Sequence, residues 1–255
     1  MRLKGRAAVV TGASRGIGKA TALTFAREGA NVVVNFQRNS EKAEEVAKRI
    51  REIGREALPI RADVSRINEV ENMVKAALDK FGRIDILVNN AGITWRKGIQ
   101  DTTEEEWDRV MAVNLRGAFN CIKAVSKQMI DQRYGKIINI SSADGLGVAN
   151  LRNAAYACSK AGVVQLAKSA ALELGKYGIN VNCVAPGVTD TDIIRVQRTE
   201  EEVKVLFEQI RRLTALERIA DPQDVANTIL FLASDESNQI TAKVLLVDCG
   251  RFNFM

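Results

Sequence analysis

Histidine is missing from this chain of 255 residues. Its absence removes Ser-His-Asp triads, Cys-His nucleophile pairs and His-ligated metal sites. Acid–base chemistry is left to Tyr, Lys, Asp, Glu or Cys. Cysteine is sparse: Cys121, Cys158, Cys183 and Cys249 stand apart with no Cys-x-x-Cys spacing. No metal is therefore expected, and free thiols in a reducing cytoplasm are the plain reading. Long apolar runs are lacking too, and Met1-Arg2-Leu3-Lys4-Gly5 leads straight into a strand pattern, so neither a membrane span nor a signal peptide is expected. Blocks of one charge sign are also absent. The net charge is +6, but Lys and Arg are interleaved with Asp and Glu, which suits solvated surface and favours an anionic ligand or partner over nucleic acid.

What is present fits one α/β domain. A chain that is 46% hydrophobic can bury a sizeable core, and no linker, repeat or low-complexity tract divides residues 1–255. Within it, Tyr156 and Lys160 stand four residues apart in a segment that reads as helix, which puts both on one face with roughly 5–6 Å between their Cβ atoms. An ammonium at that range stabilises a phenolate and should draw the tyrosine pKa down from about 10 towards the working pH.

The apolar run 6–10 is followed by Thr11-Gly12-Ala13-Ser14-Arg15-Gly16-Ile17-Gly18 and then a helical pattern. Strand, glycine-rich turn and helix form the context for binding a pyrophosphate: glycines allow close backbone approach, and free N–H groups with the helix dipole supply positive potential. A second strand, 31–36, ends where an acid would accept ribose hydroxyls and repel a 2′-phosphate. Asn35, Phe36, Gln37 and Arg38 stand there instead, with Arg15 in the preceding loop, so NADPH is favoured over NADH. A third strand, 57–60, leads to Asp63 and Val64; Asp63 either holds an adenine amino group or caps the helix at 67–81. The strand 83–88 precedes Asn89-Asn90-Ala91-Gly92, small polar residues at the strand end where such sheets bind ligands. Residues 104–132 read as one long periodic helix with a polar Asn114 inside it, a cost that needs a purpose. Strands at 136–140, 179–184 and 243–247 complete an alternation that implies a parallel, doubly wound sheet.

The ordered set of motifs resembles the short-chain dehydrogenase/reductase family over essentially the whole chain. That resemblance implies a Rossmann-type doubly wound seven-stranded parallel sheet in three α/β/α layers. It also implies an NADPH- or NADH-dependent reaction of ketones and alcohols with Asn114, Ser142, Tyr156 and Lys160 as the catalytic set. Ser142 would bond the substrate oxygen, with Ser141 as the alternative hydroxyl, and Tyr156 would pass the proton. Lys160 would hold the nicotinamide ribose, and Asn114 would anchor a water that links Lys160 to solvent. Gly12, Ser14, Arg15, Gly16, Ile17, Gly18, Arg38, Asp63, Val64, Asn90, Ala91, Gly92, Pro186, Gly187, Val188, Thr189 and Thr191 would join Tyr156 and Lys160 around the coenzyme. The overall texture resembles 3-oxoacyl-(acyl carrier protein) reductases, and sugar or secondary-alcohol dehydrogenases share most of it. A dinucleotide-sensing regulator is the non-enzymatic alternative. The stretch Ile93-Thr94-Trp95-Arg96-Lys97-Gly98 departs from the Ile-Thr-Arg-Asp that the carrier reductases usually carry. Residues 189–216 would form a substrate lid, with the apolar face of 200–212 either covering substrate or merely packing. For an acyl carrier protein, Arg133 and Lys176 beside Tyr177 would serve as docking cations at the active-site mouth, or would simply be solvated helix ends. A homotetramer built on 104–132, 156–174 and strand seven is implied, with Phe252, Phe254 and Met255 packed on a neighbouring subunit.

Overall fold

The computed structural model describes residues 1–147 and 152–251. Phe252, Phe254 and Met255, and the middle of the loop 145–153, lie outside the described residues. Seven strands form one sheet in the order β3-β2-β1-β4-β5-β6-β7, every neighbouring pair parallel. They are β1 (Ala7–Val10), β2 (Asn31–Phe36), β3 (Ala57–Arg61), β4 (Ile86–Asn89), β5 (Gly135–Ile140), β6 (Ile179–Pro186) and β7 (Val244–Val247). The helices are α1 (Gly16–Arg27), α2 (Ser40–Glu52), α3 (Ile67–Phe81), α4 (Glu104–Met111), α5 (Gly117–Asp131), α6 (Ala154–Leu174), α7 (Glu200–Arg212) and α8 (Pro222–Ala233).

Alternation along each strand divides the core in two. Ala8 and Val10 of β1 face a cluster closed by α1, α2 and α8, with Phe25, Val46 and Val225 in it. Val9 faces the other cluster, with Met73 of α3, Val125 of α5 and Val163 of α6. Strands buried on both faces read as continuous apolar runs, which is why 6–10 and 83–88 are legible as strands at all. Because β2 and β4 flank β1 on opposite sides, the connections leaving β1 and β4 diverge and open a crevice at the carboxyl ends of the strands. Among the described residues, no helix is long and apolar enough to cross a membrane.

Two elements differ from the periodicity reading. The stretch 104–132 is interrupted: a π-helical turn at Ala112–Arg116 separates α4 from α5, with the Gly117 N–H bonded to the Ala112 carbonyl. An extra residue per turn is tolerated where side chains bond outside the helix, and Asn114 does so. The helix α8 lies where the periodicity reading names none; Asp221 caps it and Pro222 occupies its first turn.

At the amino ends of the strands, the fully buried Asp85 holds β1 to β4. It accepts from Ala7 N (2.9 Å), Arg6 Nη1 (3.2 Å) and Arg83 Nε (2.8 Å). Removing one partner of such a cluster strands the others. Asp85→Ala is expected to cost about 3 kcal/mol and to lower the melting temperature by roughly 6–12 °C for a domain of this size. A calorimetric scan checks this; a shift under about 2 °C would mean that the carboxylate contributes little.

Candidate active site

The glycine loop is hung from three neighbouring strands. Thr11 Oγ1 accepts from Asn90 N (2.9 Å) and Ala91 N (3.0 Å), while Asn90 Nδ2 donates to Thr11 O (2.8 Å) and Gly12 O (3.2 Å). From the other side Asn35 Oδ1 accepts from Gly12 N (3.2 Å), and Asn35 Nδ2 donates to Ala62 O (3.1 Å). Gly12 and Gly16 adopt φ of +62° and +53°, the left-handed region that favours glycine. A Cβ at Gly18 would lie 2.4 Å from Gly12 O and 2.5 Å from Asn90 Nδ2, so the third glycine is demanded by packing. No side chain caps the N-terminus of α1 and no acid stands in its first turn, which leaves its N–H groups suited to a phosphate.

A cavity of about 810 Å³ opens above this loop and runs to Tyr156. Its walls contain every residue expected around coenzyme and substrate except Gly18 and Asn114, which stand behind them. Thr189, in the wall, donates from Oγ1 to Gly187 O (3.2 Å). Arg38 lines the cavity, exposed, while Arg15 is paired with Asp192 at 3.0 Å across the opening.

Asp63 does not cap α3, whose cap position is Arg66. Instead its carboxylate accepts from Ser65 Oγ (2.6 Å), Gln37 Nε2 (2.9 Å) and Arg109 Nη2 (2.9 Å). Burial pushes this carboxyl upward, but the bonds from Ser65 and the Arg109 guanidinium outweigh it and hold the group below the usual carboxylate range. Nothing in the local sequence marks Arg109 as a partner of a residue 46 positions away.

The two candidate serines separate by their bonds. Ser141 Oγ is buried and donates to Lys160 O (2.8 Å). Ser142 shares the cavity wall with Tyr156 and accepts from Asp144 N (3.2 Å). Lys160 Nζ donates to Ile140 O (2.7 Å) and lies 5.6 Å from the centre of the Tyr156 ring. The downward pull expected of Lys160 on Tyr156 is not what governs the phenol. Burial dominates and raises its pKa, the Asp144 carboxylate adds to the rise, and only the Ser142 hydroxyl opposes it. The same burial lowers the Lys160 ammonium to about 8.

Asn114 ties the surroundings together. Its Oδ1 accepts from Ile93 N (2.9 Å), and its Nδ2 donates to Ile93 O (3.0 Å) and Ser159 Oγ (2.9 Å). A Cβ placed on Gly92 would sit 3.4 Å from Lys160 Nζ and 3.5 Å from Asn114 Oδ1, so both side chains converge there. A second chain of bonds runs from Thr94 Oγ1 to Asn153 Oδ1 (2.9 Å) and from Asn153 Nδ2 to Asp144 Oδ2 (2.6 Å). The sequence reading assigned no site role to Thr94 or Asp144, and took Asn153 only as the end of a loop, 145–153, that shapes the substrate pocket. Arg133 and Lys176 precede the amino ends of β5 and β6, whereas Ser142 follows the carboxyl end of β5. Six residues of strand, about 20 Å, part them from the mouth within the chain.

A parallel doubly wound sheet with an uncapped glycine loop at its switch point and a Ser–Tyr–Lys group beyond β5 defines a dinucleotide-binding oxidoreductase. Residues 12–251 match the family described as Enoyl-(Acyl carrier protein) reductase. The chain is 44% identical over 247 residues to the 3-oxoacyl-[acyl-carrier-protein] reductase FabG of Staphylococcus aureus, covering 97% of this chain and 98% of that one. It is also 44% identical over 253 residues to the 3-oxoacyl-[acyl-carrier-protein] reductase of Synechocystis sp., with 99% of each covered. A crystal structure of a short-chain type dehydrogenase/reductase from Mycobacterium marinum superposes with a TM-score of 0.89 at 35% identity, over 96% of this chain and 95% of that one. The chain belongs to the short-chain dehydrogenase/reductase family.

Since burial lowers the Lys160 pKa to about 8 from 10.5, the unfolded chain binds the extra proton between those values. The penalty for burying this ammonium is therefore relieved as pH rises through that window. Urea unfolding of the protein and of Lys160→Met at pH 7.5, 8.5 and 9.5 should show the stability difference moving in favour of Lys160 with pH. A pH-independent difference would place the group's pKa near its ordinary value.

Proposed function

We propose that the protein is an NADPH-dependent reductase of 3-oxoacyl thioesters borne by acyl carrier protein. The observation that carries this reading is the placing of Ser142, Tyr156 and Lys160 together in one cavity wall, with a Tyr156 phenol whose burial keeps it protonated. A protonated phenol is the form that a reduction needs as its acid. The names of the curated relatives supply the substrate class.

The glycine cradle, the uncapped α1 and the missing acid at the end of β2 fit a dinucleotide with a 2′-phosphate. Arg38 would meet that phosphate. Asp63, with its carboxylate held charged, would accept from the adenine amino group. Asn90, Ala91, Val188 and Thr191 would line the coenzyme, with Thr189 bonding its carboxamide. When bound, the dihydronicotinamide supplies a hydride. Ser142 would hold the substrate carbonyl oxygen through its hydroxyl, and Tyr156 would give that oxygen its proton. Lys160, titrating near 8, would hold the ribose and replace the lost proton at physiological pH. Asn114, bonded at both ends of its amide, would fix the turn whose carbonyls hold a water leading to solvent. Residues 189–216 would act as the lid, since Leu206 and Ile210 of α7 line the cavity. Phe119 of α5 and Leu172 of α6 are 49% and 82% exposed, which suits assembly of a homotetramer through these helices.

Two results test the reading. Acetoacetyl-N-acetylcysteamine should oxidise NADPH at 340 nm, with kcat/KM for NADPH at least about tenfold above that for NADH, the worth of one charge-assisted bond. Arg38→Asp should erase that preference. Tyr156→Phe should lose about 10²–10⁴ in kcat while nucleotide still binds by fluorescence titration. Full turnover in Tyr156→Phe, or no turnover of any ketone by the wild type, would overturn it.

A further inference from the structure

Arg96 and Arg198 line the same cavity as Ser142 and Tyr156, and neither has a part in the chemistry above. They reach it from different segments, the loop after β4 and the stretch before α7. Arg96 N donates to Gln197 Oε1 at 2.7 Å, which stitches the two segments together. Gln197 itself is at φ +54°, a turn that sets Arg198 on the cavity wall, where Nη1 donates to Ile194 O (2.5 Å).

Both guanidiniums are partly buried. Burial is the leading cost to each charged form, and like charge adds to it, from Arg152 on Arg96 and from Arg96 on Arg198. Among the described residues neither forms an ion pair. The two carboxylates acting on Arg96 are Asp144 and Glu202, and both are engaged elsewhere. Asp144 accepts from Asn153 Nδ2 (2.6 Å), and Glu202 Oε2 accepts from Thr199 N (2.7 Å) and Thr199 Oγ1 (3.2 Å). The same wall carries Ile193, Val196 and Leu206, apolar surface suited to a hydrocarbon stretch. Partly buried guanidiniums without an ion pair are relieved best by a bidentate oxyanion.

We propose that Arg96 and Arg198 form an oxyanion subsite of the substrate pocket that takes a carboxylate or phosphate carried by the thioester, several bonds from its ketone. The proposal rests on the thioester-reductase reading and deepens it. A neutral polyol would leave these arginines unanswered.

Three thioesters distinguish the sources of the anion: neutral acetoacetyl-N-acetylcysteamine, acetoacetyl-4′-phosphopantetheine, and 3-oxoadipyl-N-acetylcysteamine with its free carboxylate. The wild type should favour one charged substrate over the neutral one by at least about tenfold in kcat/KM, and which one it favours names the source. In Arg96→Gln and Arg198→Gln that ratio should fall to within about twofold of unity, with Arg198→Lys retaining part of it. A variant that is merely misfolded would lower both substrates together and leave the ratio intact. A ratio near unity in the wild type, or an unchanged ratio in both glutamine variants, overturns the subsite. If the wild type reduces none of the three, the reductase reading has failed, and the subsite is judged by binding. Glutarate or inorganic phosphate should then raise the melting temperature of the wild type and of neither glutamine variant; an equal effect on all three proteins, or none on any, overturns it.

Discussion

The amide of Asn114 is the constraint around which the catalytic end of the cleft is arranged. It sits 2% exposed inside a helical stretch, where an unpaired amide would cost a few kcal/mol. It escapes that cost by bonding the Ile93 backbone in both directions and Ser159 on α6. Three segments remote in sequence are thereby held at one point. Ser159 passes the constraint on by donating to the Tyr156 carbonyl (2.7 Å), and Gly92, next to Ile93, lies against both Lys160 Nζ and the Asn114 amide. The π turn at Ala112–Arg116 carries Asn114 at its centre, in keeping with the frequent place of such turns at functional sites.

Electrostatics in the site follow from burial more than from neighbouring charge. The Tyr156 phenol rises and the Lys160 ammonium falls for one reason: both charged forms have been taken out of water. This pushes the pair towards a neutral phenol and a readily released ammonium proton, the poise that favours donating a proton over accepting one. At the other end of the cavity Asp63 goes the opposite way, because it has been given four hydrogen bonds, one of them from a guanidinium, in exchange for solvent. The two ends of one cavity are thus specialised by how completely each charge is compensated, and Arg96 with Arg198 lie between these extremes, desolvated without an anion of their own.

Much of this was legible in the residues. The order of strands and helices, the glycine loop and the Ser142, Tyr156 and Lys160 group all depend on local patterns: period two or 3.6, turn glycines, and four-residue helical spacing. Where such patterns are clear, as at 31–36, 67–81 and 200–212, the element bounds agree with the structure to the residue. Asn114 stood out because a polar residue among apolar helical neighbours requires an explanation, although the π turn it sits in did not.

Architecture and chemical repertoire follow from local patterns in the residues, because strand and helix formation are decided by neighbours a few residues away and the missing histidine restricts the possible acids and bases. How those groups are poised came from tertiary packing. It assigned Ser141 to a backbone carbonyl and left Ser142 in the cavity wall with the phenol, bound Asp63 to Arg109 rather than to a helix end, and placed Arg133 and Lys176 before the amino ends of β5 and β6. It also joined Arg96 to the segment of Arg198. Each of these depends on which distant segments displace water from a given atom, and desolvation is a property of the packed volume that no local pattern encodes.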